Sequence, residues 1–390
     1  MKKIGAIILA TVLTAVLATG CGNNSGNSAA SDTIKIGADL ELTGGQASYG
    51  TSVLKGAELA VKEINDAGGV LGKKLELVVG DNASKSEEAT QVAQKLITKD
   101  KVVAIVGPTT STNALGVVPI ATEKKVLLMS VSATNPKVTV DERTGKVNEW
   151  AFRAAFIDPF QGQVMANFAS QSLGAKKAVI YTDTSSDYSK GLQKFFEETF
   201  VKNGGEIVSQ ESYQQKDSDF KAVLTRIKAS NPDVIYLPGY YEEVGKILKQ
   251  AREMGITVPF LGGDGWDAPQ LLEIAGAEAL NNTYISNHYS AEDTSEEVVK
   301  FVEAYKAAND GEVPDGIGAL GYDSLKLVAN AIERAGEADP VKIKDALAAT
   351  KDLQLATGKI TLNETHDPVK AAVVLKYVDG KQTFETKVNP

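Results

Sequence analysis

Several residue types that carry chemistry in other proteins are scarce in this chain of 390 residues. Cysteine occurs once, at Cys21, so the chain cannot form an intramolecular disulfide. Histidine occurs only at His288 and His366, which excludes a metal site rich in histidine or cysteine. The motifs G-x-S-x-G, G-x-x-x-x-G-K-[ST] and H-E-x-x-H are absent. We therefore expect no metal and no cofactor; the absent motifs do not exclude an enzyme but leave it without a candidate catalytic residue, and the expectation of no enzymatic activity comes from the resemblance described below.

Positive charge is also in short supply. The chain has 41 Lys and Arg against 50 Asp and Glu, a formal net charge of −9, and no basic stripe. Such a chain binds a phosphate backbone poorly, so we exclude nucleic acid as a partner.

The N-terminus has the layout of a secretory leader. Lys2 and Lys3 precede an apolar stretch over residues 4–17, and no further charge occurs before Asp32. The stretch is shorter than the roughly 20 residues that span a bilayer. We predict a signal peptide over residues 1–20.

The end of this leader, Leu17-Ala18-Thr19-Gly20-Cys21, resembles the lipobox of bacterial lipoproteins. The resemblance implies that Cys21 is diacylated and becomes the first residue of the mature chain. Residues 22–31 contain only Gly, Asn, Ser and Ala, a composition typical of a flexible tether, so we predict a lipidated tether over residues 21–32. The expected location is the outer face of the cell membrane; the alternative is a lone cysteine after an ordinary secretory signal.

Short β-branched runs alternate with helical patterns along the rest of the chain, which predicts parallel α/β units. In the first half we predict strands at 34–40, 75–79, 102–106 and 127–131, with helices near 52–65, 85–98 and 112–122. In the second half we predict strands at 178–182, 206–212, 234–237, 260–262 and 283–287, with helices near 161–172, 190–202, 220–229 and 243–254. The expected fold is α/β, with two doubly wound parallel-sheet lobes.

The tail departs from this alternation. Helices near 319–334 and 341–349 precede a predicted hairpin, 371–377 with 382–388, across Asp379-Gly380. A chain that returns to the first lobe and ends on the second explains this pattern. We therefore predict three crossover segments, an N-terminal lobe of residues 33–153 plus 289–365, and a C-terminal lobe of residues 154–288 plus 366–390.

Small polar residues follow two strands of the first half. These are Thr109-Thr110-Ser111-Thr112-Asn113 and Ser132-Ala133-Thr134-Asn135. Open α/β sheets bind ligands at the carboxyl ends of their strands, where helix N-termini present unpaired N–H groups. These turns predict a cradle for a carboxylate, with ordinary helix capping as the alternative.

In the second half, glycines bracket one acid in Gly262-Gly263-Asp264-Gly265-Trp266. We expect Asp264 to point into a cleft, and Trp266 to narrow that cleft or form its wall; a solvated turn is the alternative. Tyr49, Tyr188 and the Tyr240-Tyr241 pair also fall after predicted strands. Donors, an acid and aromatic rings together suit an α-amino acid held between closing lobes.

An ordered set of segments carries a family resemblance. The set comprises Gln46-Ala47-Ser48-Tyr49-Gly50, Lys55-Gly56-Ala57-Glu58-Leu59-Ala60, Glu63-Ile64-Asn65, Gly68-Gly69-Val70-Leu71-Gly72, Gly107-Pro108, Ser132-Ala133-Thr134-Asn135-Pro136, Gly239-Tyr240-Tyr241 and Gly262-Gly263-Asp264-Gly265. From about Ile34 onwards the chain resembles the substrate-binding lipoproteins of branched-chain amino acid ABC transporters, the Leu/Ile/Val-binding family of type I periplasmic binding proteins. The resemblance implies a monomer that delivers a free amino acid to a permease and its ATPase subunits.

The resemblance also implies the site residues. Ser111 holds the ligand carboxylate, Thr134 helps at both ligand ends, and the Ser132 carbonyl accepts from the ammonium group. Asp264 faces that ammonium group. The tyrosines implied to line the pocket are Tyr49, Tyr188 and Tyr240.

Three other functions stay open at this point. The ligand is an aromatic or small amino acid in the first, and the protein is a sensory ectodomain in the second. The third is a secreted amide hydrolase with Ser111 or Thr134 as nucleophile. It lacks a base, because neither His288 nor His366 is expected in a strand-end turn that lines the cleft.

Overall fold

β-Branched and aliphatic runs form the centre of each half of the protein. The computed structural model describes residues 33–390, so the leader, the tether and Cys21 lie outside the described residues. None of the helices in residues 33–390 combines the length and apolar character needed to cross a membrane.

The first sheet is built entirely from parallel strands, in the order β2-β1-β3-β4-β5. Its strands are β1 (Thr33–Leu40), β2 (Lys74–Asp81), β3 (Ala104–Val106), β4 (Leu127–Ser130) and β5 (Ala151–Arg153). The helices between them are α1 (Ala47–Asp66), α2 (Ser86–Lys95) and α3 (Ser111–Lys124). β1, β3, β4 and β5 are mostly buried, as expected for parallel strands covered on both faces, whereas the edge strand β2 buries only Leu75. The N-terminal lobe is this sheet with its helices.

The second sheet has seven strands in the order β14-β13-β10-β9-β8-β6-β7. Its parallel strands are β6 (Lys177–Asp183), β7 (Glu206–Tyr213), β8 (Val234–Tyr236), β9 (Phe260–Gly262) and β10 (Thr283–Asn287). The accompanying helices are α4 (Asp158–Asn167), α5 (Asp187–Lys202), α6 (Lys221–Ala229), α7 (Tyr241–Glu253), α8 (Pro269–Ala275) and α9 (Ala277–Leu280). The C-terminal lobe is this sheet with these helices.

After β10 the chain returns to the N-terminal lobe. This part comprises α10 (Glu296–Ala308), α11 (Gly316–Ala335), α12 (Pro340–Ala348) and a small hairpin of β11 (Leu353–Leu355) and β12 (Gly358–Ile360). α11 packs closely along α1. The two backbones approach so closely that a Cβ added to Gly56 would lie 2.0 Å from the Gly318 carbonyl oxygen. The chain then ends on the second sheet with the antiparallel pair β13 (Ala372–Val378) and β14 (Lys381–Val388).

A buried ion pair fastens the last crossing segment to the first sheet. The Arg153 guanidinium at the end of β5 lies 2.6 Å from the Asp367 carboxylate, and both side chains are almost fully buried. Thr139 Oγ1 donates to the same carboxylate at 2.9 Å, and the His366 ring stacks on Phe152 at 3.8 Å between centroids.

This architecture confirms the predicted α/β fold with parallel sheets in two lobes. Several element ends differ from the prediction: α1 begins at Ala47 instead of residue 52, and α5 begins at Asp187 instead of residue 190. The sequence interpretation contained no β5 and no α10. The lobe boundaries at 153, 288 and 365 stay predictions.

Candidate functional site

A small cavity lies between the two lobes, beyond the carboxyl ends of both sheets. Its volume is about 20 Å³, which is room for roughly one water molecule. The N-terminal lobe and α11 contribute Tyr49, Thr109, Thr110, Ser111, Ser132 and Ile317; the C-terminal lobe contributes Tyr188, Tyr240, Asp264 and Gly265. Six of the seven predicted ligand residues therefore line one cavity, and whether they contact a ligand stays a prediction.

Ser111 presents a hydroxyl donor on the N-terminal face. It is the first residue of α3, so its own N–H has no acceptor within the helix. Its Oγ accepts from the Asn135 backbone N–H at 3.2 Å, which leaves the O–H as the donor of the group. Ser132 Oγ instead donates to the Thr109 carbonyl at 2.9 Å. A helix N-terminus with a free hydroxyl favours a negative group.

The threonines before Ser111 serve an internal anion. Thr109 and Thr110 each donate a backbone N–H and a hydroxyl to the fully buried carboxylate of Glu41, at 2.5 to 3.2 Å. Asn113 Nδ2 donates to the same group at 2.8 Å. The prediction that these threonines present donors to an external anion is therefore wrong, because Glu41 takes the donors. The alternative of ordinary capping is also not observed, since α3 has no side-chain cap. Glu41 was missed because it lies 68 residues before Thr109 and no local motif links them.

Asp264 forms the acidic part of the C-terminal face. Only 3% of the residue is exposed, which rules out the solvated turn. Gln161 Nε2 and the Tyr188 hydroxyl donate to Oδ1 at 2.8 and 2.9 Å, and His288 Nε2 lies 3.0 Å from Oδ2. Burial lowers the pKa of His288, against the opposing effect of Asp264, so the ring is neutral. A buried carboxylate held by neutral donors is a good partner for a cation.

The position of His288 corrects one expectation. It directly follows β10 and is buried against Asp264, with its ring stacked on Phe156 at 3.9 Å. The strand-end rule that identified Asp264 could also have identified His288. The contact does not support the hydrolase, because within residues 33–390 the ring pairs with Asp264 and not with Ser111 or Thr134.

Tyrosine rings form the walls of the cavity. Tyr188 stacks on Tyr240 with 5.3 Å between centroids, and Tyr49 meets Tyr240 edge-on at 5.8 Å. The Tyr49 hydroxyl donates to the Gly265 carbonyl, which joins the two lobes across the cavity. Burial raises the pKa of all three hydroxyls, so they are neutral. These rings supply apolar surface with a few fixed polar groups.

Thr134 and Trp266 lie outside the cavity lining. Thr134 is fully buried beside Asp158, the first residue of α4: its carbonyl accepts from the Asp158 N–H at 3.0 Å, and its hydroxyl makes no well-formed hydrogen bond within the described residues. Burial raises the pKa of Asp158 to about 8, with Thr134 and the Arg153 guanidinium opposing the rise. Trp266 does not narrow the cavity as expected: its indole is fully buried behind Gly262 and donates to the Leu237 carbonyl at 3.0 Å.

Known proteins are similar to this chain in sequence and in fold. The sequence model described as periplasmic binding protein matches residues 33–382. A leucine-, isoleucine-, valine-, threonine- and alanine-binding protein of Pseudomonas aeruginosa is 31% identical over 341 residues, 87% of this chain and 88% of the relative.

Two solved structures are more similar in sequence. The leucine-binding protein LivK of Thermotoga maritima is 40% identical with a TM-score of 0.86, and the match covers 92% of this chain and 99% of that one. LivJ of Streptococcus pneumoniae, solved in complex with isoleucine, is 42% identical with a TM-score of 0.85, covering 91% and 99%. With the family match over nearly the whole described chain, these likenesses show that the chain belongs to the periplasmic binding protein family.

Proposed function

We propose that this protein is the extracytoplasmic binding component of an ABC importer and that it holds a free branched-chain amino acid between its lobes. One observation carries the proposal. Within residues 33–390, the side chains that hydrogen-bond to the buried Asp264 carboxylate are the uncharged Gln161, Tyr188 and His288, and Asp264 shares a small cavity with the Ser111 hydroxyl at the N-terminus of α3. An α-amino acid has one charge for each of these positions. Two similar proteins support the aliphatic side chain: LivK is described as a leucine-binding protein, and LivJ was solved in complex with isoleucine.

Each cavity residue has a proposed role. Ser111 donates its hydroxyl to the ligand carboxylate, with the first N–H groups of α3 beside it. Asp264 pairs with the ammonium group, and the Ser132 carbonyl accepts from it. Tyr49, Tyr188 and Tyr240 enclose the side chain. Thr134 lies outside the lining, so direct contact with its hydroxyl would require the cavity to change shape around the ligand.

Binding requires the lobes to separate and close again. An amino acid does not fit a cavity of about 20 Å³, so it enters only when the two faces have moved apart. Closure then brings donors from one lobe and the acid of the other onto the two ligand charges. Pairing both charges offsets the cost of burying them, so the ligand favours the closed form.

The anchor and the partners complete the proposal. A diacylated Cys21 would hold the mature chain at the outer face of the membrane, near the permease and ATPase that receive the ligand. Tethering raises the effective concentration of the receptor at the permease. Labelling of cells with radioactive palmitate should mark the wild-type protein, whereas Cys21→Ser should remain unlabelled. A labelled Cys21→Ser variant would contradict the lipid site.

Calorimetry tests the ligand. The purified protein should be unfolded and refolded to remove any bound amino acid, and then titrated with each common amino acid. We expect leucine, isoleucine and valine to bind with a Kd on the order of 1 µM or tighter. Binding of only aromatic or only small amino acids would change the ligand class, and no binding of any amino acid would contradict the function.

Uptake separates transport from sensing. A strain without this protein should take up less radioactive leucine, and the wild-type protein should restore uptake whereas Asp264→Asn should not. Normal uptake, combined with loss of a transcriptional response to leucine, would instead identify a sensory receptor.

A further inference from the structure

Glu41 is a buried carboxylate without a role in the proposed ligand contacts. It directly follows β1 and is fully buried. Five hydrogen bonds reach it, and every donor is neutral. In the described part of the chain it forms no ion pair, so its negative charge is not neutralised by a basic side chain.

This carboxylate takes up much of the anion-binding capacity at the start of α3. A helix N-terminus attracts negative groups through its unpaired N–H groups and its dipole. Thr110 is the N-cap of α3, yet its N–H and hydroxyl are given to Glu41, as are those of Thr109. Ser111 is the adjoining hydroxyl that keeps its O–H for another anion.

The charge of Glu41 is felt in the cavity itself. Thr109 and Thr110, which hold the carboxylate, also line the cavity. Burial raises the pKa of the cavity residue Tyr240 well above its usual value, and the negative charges of Asp183 and Glu41 add to the rise. Salt screens such interactions little when they run through buried protein. A ligand here would contact Asp264 on one side and would lie close to the charge of Glu41, behind Thr109 and Thr110, on the other.

We propose that Glu41 is a specificity-determining residue that excludes amino acids with an acidic side chain. An amino acid with a neutral side chain brings one ammonium group and one carboxylate, which match Asp264 and Ser111. A dicarboxylic amino acid brings a second negative charge into a cavity that already faces two. This inference rests on the proposed function, because it concerns which amino acids the same cavity admits.

The test compares ligands of nearly the same shape. L-Leucine, L-asparagine and L-aspartate all branch at Cγ and differ mainly in polarity and charge. Displacement of radioactive leucine gives the affinity of asparagine and of aspartate for the wild type and for Glu41→Gln. We expect the wild type to prefer asparagine roughly tenfold or more, and Glu41→Gln to reduce that preference at least about fivefold. The preference is the readout, since Glu41→Gln also loosens the threonine turn and weakens every ligand.

Controls separate this inference from the proposed function. Glu87→Gln removes an exposed charge in the first turn of α2 and should leave all affinities unchanged. A wild type that binds no amino acid contradicts the proposed function. A folded Glu41→Gln variant that binds leucine with an unchanged preference for asparagine over aspartate overturns only the role of Glu41. If Glu41→Gln does not fold, the wild type decides: displacement by asparagine and aspartate at equal concentration, or by neither, overturns the inference.

Discussion

The two faces of the cavity each contain a buried carboxylate. The two carboxylates differ in how many hydrogen bonds they receive and in whether they line the cavity. Glu41 receives five hydrogen bonds from its own lobe and lies behind the residues that line the cavity. Asp264 receives three and lines the cavity itself. Burial alone therefore does not mark a ligand-binding acid. Its place in the lining and its unsaturated hydrogen bonding distinguish Asp264 from Glu41.

The largest expected effect on ligand affinity comes from neutralising Asp264, the acid of the C-terminal face. Asp264→Asn keeps the size of the side chain but removes the charge that pairs with the ligand ammonium group. We expect leucine affinity to fall roughly 1000-fold, about 4 kcal/mol, by calorimetry. Tyr241→Phe, on a residue outside the cavity lining, should stay within about threefold of the wild type. Equal affinity of Asp264→Asn and wild type would show that the ammonium group is held elsewhere.

The buried Asp158, the first residue of α4, gives a pH-dependent effect on stability. The pKa of Asp158 is raised to about 8 by burial, whereas an unfolded Asp titrates near 3.9, so the folded chain retains the proton longer. The resulting stabilisation is complete below about pH 4 and is lost as the pH rises to about 8. Asp158→Asn should therefore match the wild type at pH 4 and exceed its free energy of unfolding at pH 8.5, by an amount on the order of 5 kcal/mol.

Urea unfolding of the ligand-free protein at several pH values measures this difference. Asp141→Asn is the control with the opposite sign, because the neighbouring Arg143 lowers the pKa of Asp141. That variant should be less stable than the wild type above about pH 4, and the difference should shrink as the pH falls below that value. A pH-independent difference for Asp158→Asn would show that the carboxyl is ionised in the folded protein.

The smallest effect concerns the N-terminal face. Ser111→Ala removes the hydroxyl that we assign to the ligand carboxylate, and we expect leucine affinity to fall about tenfold. Ser132→Ala is the matched change, since its hydroxyl serves the Thr109 carbonyl and its proposed ligand contact is a backbone carbonyl. Calorimetry should show a smaller loss for Ser132→Ala. A larger loss of affinity for Ser132→Ala than for Ser111→Ala would indicate that the Ser132 hydroxyl, and not the Ser111 hydroxyl, holds the ligand carboxylate.

Local patterns in the sequence predicted the main strands well, and long-range partners poorly. The strands at 260–262 and 283–287 were predicted to the residue, because short apolar runs end at glycine or asparagine. β5 was missed because Ala-Phe-Arg is short and contains a charge whose buried ion-pair partner, Asp367, lies 214 residues later. α10 had a detectable signal, since Val298, Phe301, Val302 and Tyr305 recur at helical spacing.

The candidate site shows the same division. Strand ends placed Ser111 and Asp264 at one cavity, because parallel strands bring their carboxyl ends to one edge of the sheet. The sequence could not show that Glu41 takes the threonine donors, or that Thr134 lies outside the cavity lining. Both depend on which of several polar neighbours meet after folding.

The ion pair between Arg153 and Asp367 has a mechanical consequence. Asp367 is fixed to the edge strand of the first sheet, and the Val369 N–H donates to the Thr361 carbonyl at 2.9 Å. β13 begins at Ala372 on the second sheet, so at most two residues separate an anchor on one body from an anchor on the other. A link this short limits how far the two sheets can slide past each other, and it favours rotation of one sheet relative to the other. In the proposed closure, this link would bring the Ser111 edge back to the same position opposite Asp264.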